Sequence, residues 1–476
     1  MPGRVYAAAV ITLLVLIIST FPHRVAHFDD AWGAELAYWL VQKGHVRSEM
    51  FQGIGNGTEQ HVYVFHKAFT YCQAALLHVL GFDLYAVKTI GLVFSVIGLL
   101  LLLQYFREWR EARWLATFLY LGCGALISAA FIGRPEPMVM SAGLASFLVL
   151  RGAQGRLSYL ALAGMLGGLA ALAHLHGLIF LMAGGLWLLG QRTEPRGLLA
   201  FGMAGTITVS LYLLDATINH ELPVLFHQFV GAPVTQSNQH GWTKLQMLMQ
   251  YQRIYFHSEG EAVLTVFLLV LVLLAWRRGP LVFTMPQQYL LLLVLSFWVL
   301  CARADGYYFL LLVPFFVIVA VELALTSWAR LPRWRQLTFR LLLALYPLGA
   351  GLRAYHLWQQ TAKTPWPATE NARLARYMPR LGSIAIVPLD FFFDEIGHYR
   401  LRGLTAYAMR NHSQYQDTLS VRGFFALAAH DSVEYIVTDH NTKNEVYVVP
   451  ASAPARIGAY KRVFDGEWHS VYSRIR

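Results

Sequence analysis

Three cysteines in 476 residues, Cys72, Cys123 and Cys301, lie far apart in or beside apolar stretches. They offer neither a disulfide framework nor metal-ligand spacing. Charge is scarce too: 14% of the residues are Asp, Glu, Lys or Arg, against about a quarter in an ordinary soluble chain. No P-loop, dinucleotide-binding glycine motif, His-Glu-x-x-His or nucleophile elbow is present, which removes the usual signatures of nucleotide, zinc-protease and serine-hydrolase chemistry. The alternation Gly53, Gly55, Gly57 marks a turn, not a phosphate cradle. What the chain has instead is apolar length. It is 56% hydrophobic with a mean hydropathy of +0.45, in runs that approach the roughly 20 residues a bilayer-spanning helix needs. These features define an integral membrane protein. The net charge of +11 comes largely from arginines in short connections, the pattern of topology signals, so nucleic acid is not an expected partner.

Hydropathy places spans near residues 5–21, 84–104, 114–132, 137–150, 157–173, 176–190, 197–215, 261–276, 288–302, 306–325 and 337–354, eleven in all. Arg4, Arg107 to Arg113, Arg151 with Arg156, Arg192 with Arg196, Arg277-Arg278 and the group Arg330 to Arg340 then share one side. The positive-inside rule makes that side cytoplasmic. The first span reads as an uncleaved anchor, because no small-x-small site follows it. The other side receives the loops 22–83 and 216–260 and a tail from 355 to 476. The organisation expected is therefore a polytopic α-helical domain over 1–354 and a small extracytoplasmic α/β domain over 355–476. In the tail, Ile384 to Val387 and Tyr435 to Thr438 read as buried strands. Residues 459–464 and 470–475 read as a hairpin around Asp465-Gly466. In the first loop, residues 33–43 and 60–80 read as amphipathic helices lying in the interface plane.

An acidic pair, Asp29 and Asp30, directly follows the first span in His27-Phe28-Asp29-Asp30-Ala31-Trp32-Gly33-Ala34-Glu35. Carboxylates at a membrane boundary can bind a divalent cation or take a proton from a hydroxyl. The plain alternative is a helix N-cap followed by a first-turn acid. Glu35 reads as a solvated or packing residue of the same helix. Arg134 and Arg303 stand at outer span ends, where an arginine either snorkels or meets a phosphate. His174 and His176 would face apart on a continuous helix, so a shared ligand needs the helix to break there.

The acidic pair with its later Ala34-Glu35-Leu36-Ala37 resembles the opening motif of the GT-C superfamily of membrane glycosyltransferases. The likeness is to the protein O-mannosyltransferases and the lipid A aminoarabinose transferase. It extends through Gly133-Arg134-Pro135-Glu136-Pro137 and Tyr307-Tyr308-Phe309-Leu310 to Pro314. The chain departs from that pattern at Lys88, where the family often has Arg, and at Glu59-Gln60-His61-Val62-Tyr63, which lacks the double proline of the aminoarabinose transferases. It departs again at His174-Leu175-His176-Gly177, where relatives often show Thr-Lys-Gly.

The resemblance implies sugar transfer from a polyprenyl-phosphate-linked donor to a lipid, glycan or protein acceptor on the outer face of the bacterial inner membrane. It implies Asp29 as base or metal-adjacent acid, with Asp30 supporting it. Arg134, Arg303, Lys67, His61 and Tyr307 become the candidate substrate-binding residues. Glu59 becomes the candidate ligand for a divalent metal (Mn, Mg or Zn). The rival class is a transporter or lipid flippase, which usually shows internal repeats and charges on broken helices near the midplane. No repeat is visible here, and the acids cluster in an outer loop.

Overall fold

The structure, a computed structural model, describes residues 3–51, 57–231, 242–276, 283–301, 306–328, 332–362, 367–409, 419–440 and 449–475. Its first ten helices are α1 (Gly3–Ser19), α2 (Phe28–Lys43), α3 (Lys67–Leu80), α4 (Leu84–Tyr105), α5 (Arg110–Leu121), α6 (Gly124–Ala129), α7 (Glu136–Gly152), α8 (Leu157–Ala173), α9 (Leu178–Gly190) and α10 (Pro195–Ser210). Each apolar segment of the sequence carries helix. Among the described residues, three stretches, Tyr6–His23, Leu84–Tyr105 and Pro195–Ile218, are long and apolar enough to cross a membrane, or up to four if the bent pair Lys244–Phe256 and Glu259–Leu274 counts as one. Several others, such as Leu157–Ala173 and Val313–Thr326, are shorter apolar helices.

The segment expected as one span over 114–132 is broken into α5 and α6. A Cβ on Gly122 would lie 2.8 Å from the Tyr346 ring, and one on Gly124 would lie 2.6 Å from the Gly260 Cα. Small residues let neighbouring elements approach this closely, and the helix yields at that point. Small residues also set the tight packing of α8 on α10, where a Cβ on Gly164 would come within 2.0 Å of the Phe201 carbonyl oxygen.

The first loop differs from its expected form. Residues 60–66 are not helical, and α3 starts only at Lys67. Both α2 and α3 are packed against other elements on part of their surface. Ala31, Ala34 and Ala37 of α2 and Ala74 and Leu77 of α3 pack in one cluster with Leu374, Phe391, Phe392, Leu401 and Tyr435 of the tail. Leu36 packs instead with Val46, Val62 and Phe65, while Phe69 belongs to the main helical core.

The tail forms one six-stranded sheet in the order β2-β1-β3-β6-β5-β4. The strands are β1 (Ile384–Val387), β2 (Arg400–Gly403), β3 (Tyr435–Asp439), β4 (Arg456–Ile457), β5 (Tyr460–Asp465) and β6 (His469–Arg474). β2, β1 and β3 run parallel, and β3, β6, β5 and β4 pair antiparallel. The period-2 pattern puts Ala385, Val387 and Val437 on the face toward α2 and α3. Ile386 and Ile436 face a second core with Phe424 and Phe425 of helix Val421–His430. The sheet is thus a clamp over α3 and over α2, the helix that carries the acidic pair.

Candidate active site

Five stretches separated by apolar helices meet at one end of the bundle: residues 27–30, 66, 133–136, 174–176 and 307–308. His27 is the N-cap of α2. Its Nδ1 accepts the Asp29 backbone N–H at 3.2 Å, which leaves the ring proton on Nε2, 2.9 Å from the Tyr307 hydroxyl. Asp29 then projects to Arg134, whose Nη1 donates to its carboxylate. The other edge of the Arg134 guanidinium is held by Glu136, with Nη2 donating at 2.6 Å and Nε at 3.0 Å. The guanidinium lies 4.2 Å above the Tyr307 ring. Burial pushes the Asp29 carboxyl up, but the nearby His27 and the Arg134 guanidinium outweigh it and hold the group at about 2. Asp29 is therefore an anion throughout the physiological range.

Asp30 has a different environment. It is fully buried and accepts the His27 N–H at 2.7 Å, which closes the α2 cap. It also accepts the Gly133 N–H and the Lys88 ammonium at 2.6 Å. The N-cap is His27 itself, and Asp30 closes the capping box from the first turn, a part the Asp29 side chain does not share.

The chain does break where the two histidines needed it to. α8 ends at Ala173, and the His174 and His176 rings lie 4.5 Å apart. His174 stacks on His66 at 4.6 Å, and His176 meets the edge of Tyr308 at 4.2 Å. Burial, assisted by Arg134 and opposed by Glu136 and Asp29, holds His66 at about 4, so it is neutral at physiological pH. Burial and the two neighbouring imidazoles push His174 well below its ordinary value. The group around Arg134 is then one guanidinium between two carboxylates, lined by imidazoles and phenols.

The other candidates lie elsewhere. Lys67 pairs with Asp215 and sits over Phe65 and Tyr212. His61 Nδ1 lies 3.0 Å from Glu221, which Tyr63 also contacts through its hydroxyl. These two contacts tie the first outer loop to residues 215 and 221. Arg303 lies outside the described residues. Glu59 Oε2 is buried with no hydrogen-bond partner among them. Among the described residues, no group of three or more His, Cys, Asp or Glu side chains is placed to hold a metal. The Asp29 and Asp30 carboxylates are each already held by a cation. No step below runs through a metal ion.

Of the two readings of Glu35, solvated or packing, the structure has the second. It is fully buried rather than solvated, and its carboxylate accepts from Ser48 Oγ at 2.5 Å, Glu49 N at 2.6 Å, Met50 N at 3.0 Å and Trp39 Nε1 at 3.2 Å. Burial pushes its carboxyl up to about 7 against those four donors. The Met50 carbonyl in turn accepts the Gly403 N–H of β2 at 3.4 Å, so Glu35 fixes the segment on which the tail sheet rests. Glu35→Ala strands several buried donors, each worth about 1–3 kcal/mol. A large fall in melting temperature is expected, with a smaller one for Glu35→Gln, which keeps one acceptor oxygen. Equal melting of all three proteins would refute that role.

The helical bundle, with the first-loop helices under a tail sheet, is similar in fold to several solved structures. ArnT from Cupriavidus metallidurans, solved bound to undecaprenyl phosphate, is similar over 99% of this chain and 98% of that one, with 14% identity and a TM-score of 0.65. Archaeal oligosaccharyltransferase AglB from Archaeoglobus fulgidus, in complex with an inhibitory peptide and a dolichol-phosphate, is similar over 92% of this chain and 70% of that one, with 14% identity and a TM-score of 0.56. An A. fulgidus oligosaccharyltransferase in complex with Zn and sulfate matches at 12% identity and a TM-score of 0.51, over 90% of this chain and 68% of that one. No family model and no curated protein matches the sequence.

The sequence singled out Asp29, Arg134 and Tyr307, and these do come together. It overlooked His27 and His66 as members of the group. The readable signal for His27 was its place two residues before the acids, where a cap belongs.

Proposed function

We propose that this chain transfers a sugar from a polyprenyl-phosphate-linked donor to a hydroxyl of a lipid, glycan or protein acceptor, at the outer face of the bacterial inner membrane. The observation that carries this reading is the ionised Asp29 carboxylate beside Arg134, where five connections meet on a fold shared with an enzyme solved with undecaprenyl phosphate. In the step proposed, the acceptor O–H gives its proton to Asp29 and its oxygen bonds to the anomeric carbon. The bond from that carbon to the phosphate oxygen breaks, and the polyprenyl phosphate leaves with the electron pair. One displacement inverts the configuration. While paired with Arg134, Asp29 is a weak base. A donor phosphate that draws the guanidinium away removes the countercharge and raises the basicity of the carboxylate. Arg134 and Tyr307 are the groups assigned to substrate, Asp30 to support, and Lys67 and His61 to the shape of the loops.

The test is reconstitution with lipid-linked sugars. Release of polyprenyl phosphate together with glycosylated acceptor supports the reading. Passage of an intact lipid-linked sugar across the bilayer, without cleavage, supports the transporter instead.

The same reading puts the N-terminus and residues 277–278 in the cytoplasm and the tail outside. Reporter fusions after Trp358 should be active only as external reporters, and fusions at Arg278 only as cytoplasmic ones. An internal tail would remove the outer-face reaction.

A further inference from the structure

One buried histidine of the tail faces more carboxylates than cations. His469 opens β6 and pairs across the sheet with Asp439 of β3. Its Nδ1 lies 3.5 Å from Oε1 of Glu370, on helix Pro367–Ala375, which leads into the tail sheet. Both side chains are buried. The Nδ1 atom makes no aligned hydrogen bond among the described residues, so charge holds the contact, and a neutral imidazole gives it up.

Asp390, at the start of helix Phe391–Glu395, and Asp439 also act on the imidazole. The neighbouring polar groups are engaged with one another. Asn371 Nδ2 donates to Asp394 at 2.6 Å, His440 Nε2 lies 3.0 Å from Ser470 Oγ, and Asp465 of β5 lies 3.3 Å from Arg462. Arg373 reaches Glu370 at 3.4 Å, but its side chain is largely exposed, which makes that pair weak. Burial pushes His469 down, and Glu370, Asp390 and Asp439 outweigh it, raising the imidazole above its ordinary 6.5. Glu370 is lowered, chiefly by His469. Burial pushes the Asp390 carboxyl up, and His469 pulls it back.

A histidine raised on folding stabilises the fold fully below its unfolded value, and that stability is lost as the pH rises through the folded one. Glu370 sets the acid edge: its share is present above 4.5 and is lost as the pH falls through its lowered value. The pair is therefore closed on the acid side of the raised His469 value and opens above it. Once the imidazole is neutral, buried carboxylates are left facing one another without their internal cation. The effect reaches the helix of the acidic pair. Leu374, one turn on from Glu370, packs with Ala31, Ala34 and Ala37 of α2.

We propose that His469 and Glu370 form a proton-operated latch between the tail sheet and helix Pro367–Ala375. The imidazolium closes it, a rising pH in the compartment that bathes the tail releases it, and its state sets how firmly Leu374 covers α2. The latch does not depend on the transfer reaction.

Hydrogen exchange in the full-length chain, corrected for intrinsic amide rates, tests this between about pH 5 and about 8.5. In the parent, helix Pro367–Ala375 should be protected at the acid end and lose protection in one step as the pH rises. His469→Gln should exchange fast throughout, with no step. Glu370→Gln exchanges one oxygen for nitrogen and is the variant expected to fold most readily. Its step should move to lower pH, because an acid that raised the imidazole is gone. Glu35 titrates in the same window at about 7, but it is present in all three proteins, so its contribution cancels in the comparison. The proposal is overturned if the parent shows no step, or if the step stays at the same pH in either variant. Transfer activity enters none of these readouts.

Discussion

Asp29→Asn should give a folded protein that transfers sugar about 10²–10⁴ times more slowly, the usual loss when a general base is removed. The fold is expected to survive because the side chain has no part in the α2 cap, and because Arg134 keeps both contacts to Glu136. Donor binding should persist for the same reason. The pH dependence gives a second check. Asp29 is held at about 2 partly by the Arg134 guanidinium. Arg134→Gln removes that countercharge and lets burial raise the carboxyl, so any acid limb in the pH–rate profile should move to higher pH. The stability due to the Asp29 pair is present above the ordinary carboxylate range near 4 and is lost as the pH falls through about 2. Melting between pH 5 and 8 should therefore not register it. A folded Asp29→Asn protein with near-normal transfer would move the base elsewhere or end the glycosyltransferase reading.

The helical segments were legible because twenty-residue apolar runs are a strong signal and need no tertiary information. The tail strands were legible for a similar reason: Ile384 to Val387 and Tyr435 to Thr438 are short, β-branched and apolar. The docking of the sheet on α2 and α3 was not. The residues that make it on α2 are the alanines Ala31, Ala34 and Ala37, which carry almost no hydrophobic signal although their smallness lets the layers approach. Glu35 stayed undecided between solvent and packing for a related cause. A charge on an apparently amphipathic helix is ordinarily solvated, and only the fold brings Ser48, Glu49 and Met50 to its carboxylate. At the site, adjacency in the sequence concealed opposite fates. Asp29 and Asp30 are neighbours, yet about 100° apart on a helix, so one carboxylate meets Arg134 and the other turns inward to Lys88. His61 and Lys67 looked equivalent to Arg134 as cations in outer segments. Their partners Glu221 and Asp215 lie 160 and 148 residues further along the chain, and no local pattern announces such pairs.

Asp30→Asn should cost about 3–5 kcal/mol, because it leaves the Lys88 ammonium buried without its counter-ion. That is a large part of what holds a typical domain folded. The variant is expected to melt far below the parent in detergent, with poor recovery from the membrane. Lys88→Met should also destabilise, since the Asp30 carboxylate would then keep only the N–H groups of His27 and Gly133. The double variant Asp30→Asn/Lys88→Met removes both charges at once. Its melting temperature should return toward that of the parent, because a neutral amide can still accept from the His27 cap and a thioether chain fills the space of the lysine. Transfer activity should return with it, since the Asp29–Arg134 pair is untouched. A catalytic Asp30 predicts the reverse: a single variant that folds normally and is inactive, and a double variant that stays inactive however stable it is. Comparing melting and transfer across the three variants therefore separates a supporting carboxylate from a reacting one.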